Sequence, residues 1–308
     1  MTTKWTFWID CGGTFTDFIA VNREGVYRTH KLLSQSVNYE SAIVEGIAHI
    51  IGHRRFHEAI EQVRLGTTVA TNAFLEKKGV KCALVTTLGQ RDVLNIRQQN
   101  RPRLFDLDIE KIEPLHCYST EIPGRMNAEG YELTEFDQDI AQFELHRILN
   151  KGIKSLAVSF MHSTINPMHE LALESLAYKL GFEYVSLSHR VSSVANYISR
   201  TETAVFDAYL SPYLKQYTQK LEGLLNIKNI LYMQSDGSLC NANRFKGYNA
   251  LLSGPAGGLI GATHAAKKQG EKKIICFDMG GTSTDVSIYG GEVQINYHPE
   301  FHGIKLLT

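Results

Sequence analysis

The chain has 308 residues, 43% of them apolar and 21% charged, which is the balance of a globular protein with room for two domains and a sizeable core. Lys plus Arg and Asp plus Glu are both 32, and no segment carries a long block of one sign, so nucleic acid and anionic membrane are disfavoured as main partners. Five scattered cysteines without a C-x-x-C pair, an N-terminus running straight into a strand and the lack of any transmembrane-length apolar run predict reduced thiols and a cytoplasmic location.

Residues 5–10, 15–22 and 26–31 read as three short strands, joined by a Gly12-Gly13 turn and by Asn22-Arg23-Glu24-Gly25. Helical spacing over 39–51 ends at Gly52. A short strand at 63–66 leads into Thr67-Thr68 and a helix expected to run to Lys78, followed by a β-rich run at 81–87. From Gln90 to about Tyr131 the pattern weakens, punctuated by Pro102, Pro114, Pro123 and Gly124, and predicts a loop-rich excursion. Alternation resumes with a helix at 140–150, a strand at 155–161, a helix at 168–180 and a strand at 184–188. A long helix over about 203–225 should break or kink at Ser211-Pro212. A strand at 230–234, a helix from Ser253 to about Lys268 and strands at 274–277, 286–289 and 293–297 complete the pass.

One pattern occurs twice. Asp10-Cys11-Gly12-Gly13-Thr14-Phe15-Thr16-Asp17 and Asp278-Met279-Gly280-Gly281-Thr282-Ser283-Thr284-Asp285 both read D-x-G-G-T-x-T-D after a short apolar run. Twin glycines let the backbone turn sharply and approach a ligand closely. Successive N–H groups in such a turn form an anion nest, and a strand-end aspartate holds Mg²⁺ directly or through water. A lone copy reads equally well as an ordinary hairpin turn; the pair points to ATP gripped from both sides. No Walker A pattern and no G-x-G-x-x-G occurs.

Alternating strands and helices make the class α/β with mixed sheets. A strand-loop-strand unit repeated at both ends of the chain resembles the actin-like ATPase (ribonuclease H-like) superfamily, with duplicated lobes of which the second is expected to be incomplete. The order of first phosphate loop, Gly/Ala-rich connecting helix at 254–266 and second phosphate loop is similar to that superfamily.

At family level, residues 9–17, Gly66-Thr67-Thr68-Val69-Ala70-Thr71-Asn72-Ala73, residues 253–261 and residues 277–285 resemble the hydantoinase A / 5-oxoprolinase family. Residues 99–106, 206–212 and Met233-Gln234-Ser235 are most similar to its ATP-dependent 5-oxoprolinases. The resemblance is collinear over essentially the whole chain. It implies an N-terminal lobe over 1–200 and the start of the hydantoinase A lobe over 201–308. It implies ATP and Mg²⁺ as cofactors and hydrolysis of a cyclic amide, with 5-oxo-L-proline, ATP and water giving L-glutamate, ADP and phosphate. N-methylhydantoinases and ketone carboxylases share the loops. The family commonly has arginine where Cys11 stands and continues past the equivalent of Thr308. The expected reading is therefore a truncated piece, inactive alone, whose partner is the missing C-terminal part or a separate hydantoinase B-type subunit.

On this reading Gly12, Gly13, Thr14 and Thr16 face one side of the phosphates and Gly280, Gly281, Thr282 and Ser283 the other. Asp10 and Asp278 carry the catalytic Mg²⁺, while Asp17 and Asp285 serve either there or as turn caps. Thr67, Thr68, Asn72, Arg101 and Arg103 form the candidate lactam side. For Thr71 or Asn72 helix capping competes with that role, and for the arginines a solvated surface position does. His162 and His169 lack metal spacing and read as structural. A chaperone-like ATP switch and an inactive remnant are the competing functions.

Overall fold

The computed structural model describes residues 3–34, 39–52, 57–99, 105–108, 112–279, 284–292, 299–301 and 303–307. Along the chain run β1 (Trp5–Cys11), β2 (Phe15–Asn22), β3 (Tyr27–Leu33), α1 (Tyr39–Ile51), β4 (Ile60–Thr67), α2 (Val69–Leu75), β5 (Cys82–Thr87) and α3 (Val93–Ile96). Then come β6 (Tyr118–Ile122), β7 (Arg125–Met126), β8 (Glu132–Thr134), α4 (Gln138–Asn150), β9 (Ser155–Ser159), α5 (Met168–Leu180), β10 (Tyr184–Leu187) and α6 (Ser188–Val191). The long α7 (Tyr197–Leu225), β11 (Ile230–Met233), β12 (Leu239–Asn241), α8 (Ser253–Lys268), β13 (Ile274–Met279), β14 (Thr284–Tyr289), β15 (Glu300–Phe301) and β16 (Ile304–Lys305) follow.

These elements form two compact units that interleave in sequence: Met1–Lys78 with Tyr213–Ile295, and Gly79–Pro212 with Asn296–Thr308. The first is built on a six-stranded mixed sheet ordered β12-β11-β4-β1-β2-β3. Its antiparallel β1-β2-β3 meander is the one expected for residues 5–31, extended by two residues at its end. Strict alternation puts Phe7, Ile9, Cys11, Phe18 and Ala20 in the core and leaves Trp8, Asp10, Asp17 and Ile19 on the other face. Helix α1 covers the buried face, and it lies close because residue 46 has no side chain. A Cβ on Gly46 would sit 2.2 Å from the Phe18 ring.

The second unit holds a four-stranded, wholly parallel sheet ordered β10-β9-β5-β6. Parallel strands are buried on both faces, so β5 and β9 are inaccessible throughout. The α4 and α5 side contributes Leu145, Ile148, Leu173 and Ala177 to a core with Val85, Leu156 and Val158. Asp137 caps α4 by accepting a hydrogen bond from the Ile140 N–H at 2.9 Å.

Three expectations are corrected. The excursion from 90 to 131 contains a true sheet strand, β6, whose Tyr-Ser-Thr-Glu-Ile composition hides it because it lies at the sheet edge. Helix α2 stops at Leu75, before the expected Lys78. Helix α7 starts at Tyr197 and continues through Pro212. Proline cannot donate to the carbonyl four residues back, so Ala208 loses its helical partner. The Ser155 hydroxyl replaces it, donating to the Ala208 carbonyl at 2.6 Å. The expected strand at 293–297 lies outside the described residues.

Candidate functional site: a pair of aspartate hairpins

All four motif segments belong to the first unit and converge there. Asp10 is the cross-strand partner of Asp17 in β2 and the parallel-register partner of Gly66 in β4. The second copy repeats the geometry, with Asp278 opposite Asp285 across β13 and β14. The first turn is closed by the Gly12 N–H donating to the Phe15 carbonyl at 3.0 Å, and the Ser34 N–H donates to the Thr14 carbonyl at 2.8 Å.

Glycines decide what can approach the aspartates. A Cβ on Gly66 would lie 3.2 Å from Asp10 Oδ1, and one on Gly258, in the first turns of α8, would lie 3.9 Å from Asp278 Oδ2. The start of α8 is tied to the Gly66-Thr67-Thr68 segment, since Ser253 Oγ donates to the Thr67 carbonyl at 2.8 Å and Thr71 Oγ1 donates to the Leu251 carbonyl. Thr68 in turn bonds the Cys11 carbonyl through its N–H at 3.1 Å and its hydroxyl at 3.3 Å.

The two copies are coupled electrostatically, because Asp278 is among the charges that act on Asp10. Desolvation of a side chain that keeps one edge exposed, then the Asp17 and Asp278 carboxylates, raise the Asp10 pKa above the ordinary carboxylate value, with Lys31 opposing. Asp17 is itself held by Lys31 Nζ at 2.8 Å. Two strand-end carboxylates that repel each other across one site fit a divalent cation, which would offset that repulsion. Among the described residues no trio of His, Cys, Asp and Glu converges on a common point. That donor set suits Mg²⁺, which takes one or two carboxylates and completes its shell with water and phosphate oxygens.

The remaining sequence-predicted residues divide clearly. Gly12, Gly13 and Thr14 form the turn after Asp10. Thr16 is fully buried, its hydroxyl shared with Ser34 Oγ at 2.8 Å and donated to Cys11 Sγ at 3.5 Å, so it braces the loop from the core side. Cys11 points into the same core, where burial pushes its thiol up to about 11. Thr67 is also buried, its hydroxyl accepting from the Val69 N–H at 3.2 Å. Asn72 Nδ2 donates to Thr68 Oγ1 at 3.2 Å, holding the first turn of α2. Gly280, Gly281, Thr282, Ser283, Arg101 and Arg103 lie outside the described residues. Gly66, which the motif reading placed with Thr67 and Thr68 on the substrate side, instead stands beside Asp10 in the parallel register of β1 and β4, and a glycine inside a strand is the signal of such a close approach.

Comparison with known proteins gives the family. Residues 6–181 match the family model for the hydantoinase/oxoprolinase N-terminal region, and residues 200–308 match the hydantoinase/oxoprolinase model. The chain belongs to the hydantoinase/oxoprolinase family. It is 40% identical to 5-oxoprolinase 1 of Arabidopsis thaliana over 94% of its length, and 36% identical to the 5-oxoprolinase of Dictyostelium discoideum over 97%. It spans only 26% and 28% of those proteins. The ATP-dependent caprolactamase of Pseudomonas jessenii superposes with a TM-score of 0.85 at 28% identity, covering 98% of this chain and 46% of that one. A nucleotide-free acetone carboxylase gives 0.84 at 22% identity, with 99% and 46% covered, a likeness of fold. The fold is the mixed α/β, actin-like ATPase type of these family members.

Proposed function

We propose that this chain is the ATP-handling part of a cyclic-amide hydrolase, with 5-oxo-L-proline as the preferred substrate. The observation that carries the reading is that Asp10 and Asp278, the equivalent residues of two hairpins 268 positions apart, belong to one compact unit in which the Asp278 charge helps raise the Asp10 pKa. The 5-oxoprolinases among its relatives support the lactam, and the caprolactamase supports ATP-driven ring opening as a shared chemistry.

Amide resonance makes a lactam carbonyl a poor electrophile; the same resonance gives a peptide bond its rotation barrier of ~18–20 kcal/mol. Transfer of the γ-phosphoryl group of ATP to the lactam oxygen, with ADP leaving, removes that resonance. Water then adds to the activated carbon, the C–N bond breaks and phosphate departs, giving the amino acid. Phosphoryl transfer asks the protein for positioning and charge neutralisation. Gly12, Gly13 and Thr14 serve one side of the phosphates, Gly12 by closing the turn and Gly13 and Thr14 through their backbone N–H groups, shaped from below by Thr16. Gly280, Gly281, Thr282 and Ser283 serve the other, and Asp10 and Asp278 hold Mg²⁺ through carboxylate or water. Thr67, Thr68 and Asn72 set the position of α2 and α8 beside that site, and Arg101 and Arg103 belong to the substrate side.

The segments 1–200 and 201–308 act with further polypeptide, either a continuation or a hydantoinase B-type subunit. An apolar stripe on β13 and β14 supports this: Ile275, Phe277, Met279, Val286 and Ile288 are between 59% and 75% exposed on one face of a two-stranded sheet. Such a hairpin is marginal alone. Among the described residues no helix is long and apolar enough to cross a membrane, and a cytoplasmic site of action is part of the proposal.

The test is phosphate release from ATP by this chain combined with polypeptide matching the remaining length of its relatives. Stimulation by 5-oxo-L-proline is expected, and weaker stimulation by caprolactam. ATP turnover indifferent to every lactam would replace the enzyme reading with an ATP-driven switch.

A further inference from the structure

The second unit contains a crevice that the ATP reading does not use. In its sheet, β5 lies between β6 and β9, and the chain leaves β5 toward β6 on one side while β9 leads to β10 on the other. The carboxyl ends of β5 and β9 therefore form a topological switch point, where open parallel sheets place their ligands. A cavity of about 710 Å³ opens at that point, lined among others by Gln90, Ile96, Arg97, Met161, Tyr197 and Ile198. Its size falls within the roughly 300–1,000 Å³ typical of small-molecule sites.

The walls are held in place by bonds that leave this lining available. Glu121 accepts from the backbone N–H groups of Gly89 at 2.9 Å and Arg91 at 3.3 Å, fixing the loop after β5. The Met161 N–H donates to Thr87 Oγ1 at 2.9 Å. Gln98 Nε2 donates to Ser199 Oγ at 3.0 Å, and Arg97 pairs with Glu202 at 3.1 Å. These two contacts hold Arg97 at φ 51°, ψ −150°, a conformation a non-glycine residue keeps only when its surroundings impose it. Arg97 Nε is buried and has no hydrogen-bond partner among the described residues.

We propose that this crevice is the pocket in which the chain recognises a five-membered lactam, an inference that rests on the cyclic-amide reading above. A lactam ring fixes its amide in the cis form, so its N–H and C=O lie on one edge. The primary carboxamide of Gln90 offers the complementary acceptor and pair of donors. Ile96, Met161, Tyr197 and Ile198 provide an apolar wall for the ring methylenes. Arg97, one of the lining residues, adds positive charge for the ring carboxylate of an acidic lactam.

The 308-residue chain, saturated with a non-hydrolysable ATP analogue, is titrated calorimetrically with 5-oxo-L-proline, 2-pyrrolidinone and N-methyl-2-pyrrolidinone. 5-Oxo-L-proline is expected to bind tightest and the N-methyl compound at least tenfold more weakly than 2-pyrrolidinone, because it lacks the N–H. Gln90→Ala and the crevice-filling Ile96→Trp, each checked for a cooperative melt, should weaken 5-oxo-L-proline at least tenfold and leave the analogue's affinity unchanged. Unchanged lactam affinity in both variants would overturn the pocket while leaving the lactam reading intact. Nucleotide binding without binding of any of the three lactams would overturn the cyclic-amide reading and the pocket with it.

Discussion

Gly66 stands beside Asp10 in the parallel register of β1 and β4, and a Cβ at position 66 would come within 3.2 Å of Asp10 Oδ1. The strand gives up packing there to leave the carboxylate its space. Gly66→Val should therefore displace Asp10 while raising local β propensity. The expected outcome is at least a tenfold loss of Mg·ATP affinity, about 1.4 kcal/mol, with little change in Tm. Titration and thermal melts check it; unchanged affinity would remove Gly66 from the site.

Asp10 in its ionised form opposes folding. Its pKa is raised by burial, Asp17 and Asp278, so the stability tied to its proton is present at low pH and lost as pH rises through its folded-state pKa. At neutral pH without Mg²⁺, Asp10→Asn should melt higher than the parent chain. The same variant should lose the rise in Tm that Mg·ATP gives. Melting curves with and without Mg·ATP decide both points.

The repair at Pro212 predicts a coupling. Ser155→Ala removes the hydroxyl that satisfies the Ala208 carbonyl, leaving a buried acceptor unpaired at a cost of about 1–3 kcal/mol. Pro212→Ala restores a backbone N–H able to reach the same carbonyl. In that background Ser155→Ala should cost clearly less, and a denaturation-measured double-mutant cycle reads the difference. Equal costs in both backgrounds would refute the account of how α7 carries a proline.

His116 gives a pH dependence with a definite sign. Burial, and secondarily Arg97, lower its pKa from the usual histidine value to about 4. Its contribution to stability is complete above the unfolded value of ~6.5 and is lost as pH falls from there toward about 4. His116→Leu should flatten the fall in Tm between pH 6.5 and 4 relative to the parent chain. Parallel curves for the two proteins would contradict this.

Much of this arrangement was legible in the sequence because its strongest signals are local. The repeated D-x-G-G-T-x-T-D pattern fixed β1-β2 and β13-β14 as hairpins, and helical spacing placed α1, α5 and α8 almost to the residue. What sequence could not reveal depends on distant partners. β6 is a strand because β5 offers it an edge, and α7 survives Pro212 because Ser155 is nearby in space. Thr14 and Thr16 look equivalent in the motif, yet the period-2 pleat turns Thr16 into the core beside Ser34. Nor does the interleaving of the two units follow from motif order, since segments 60–78 and 213–295 belong to one unit although the stretch between them belongs to the other.

If the two hairpins hold one Mg·ATP together, their aspartates act on a single ligand, and a double-mutant cycle in nucleotide affinity measures that coupling. Asp10→Asn and Asp278→Asn should each weaken Mg·ATP at least tenfold, with the double variant losing far less than the product of the two. Losses that multiply fully, or no effect from either change, would mean that Asp10 and Asp278 do not share a ligand.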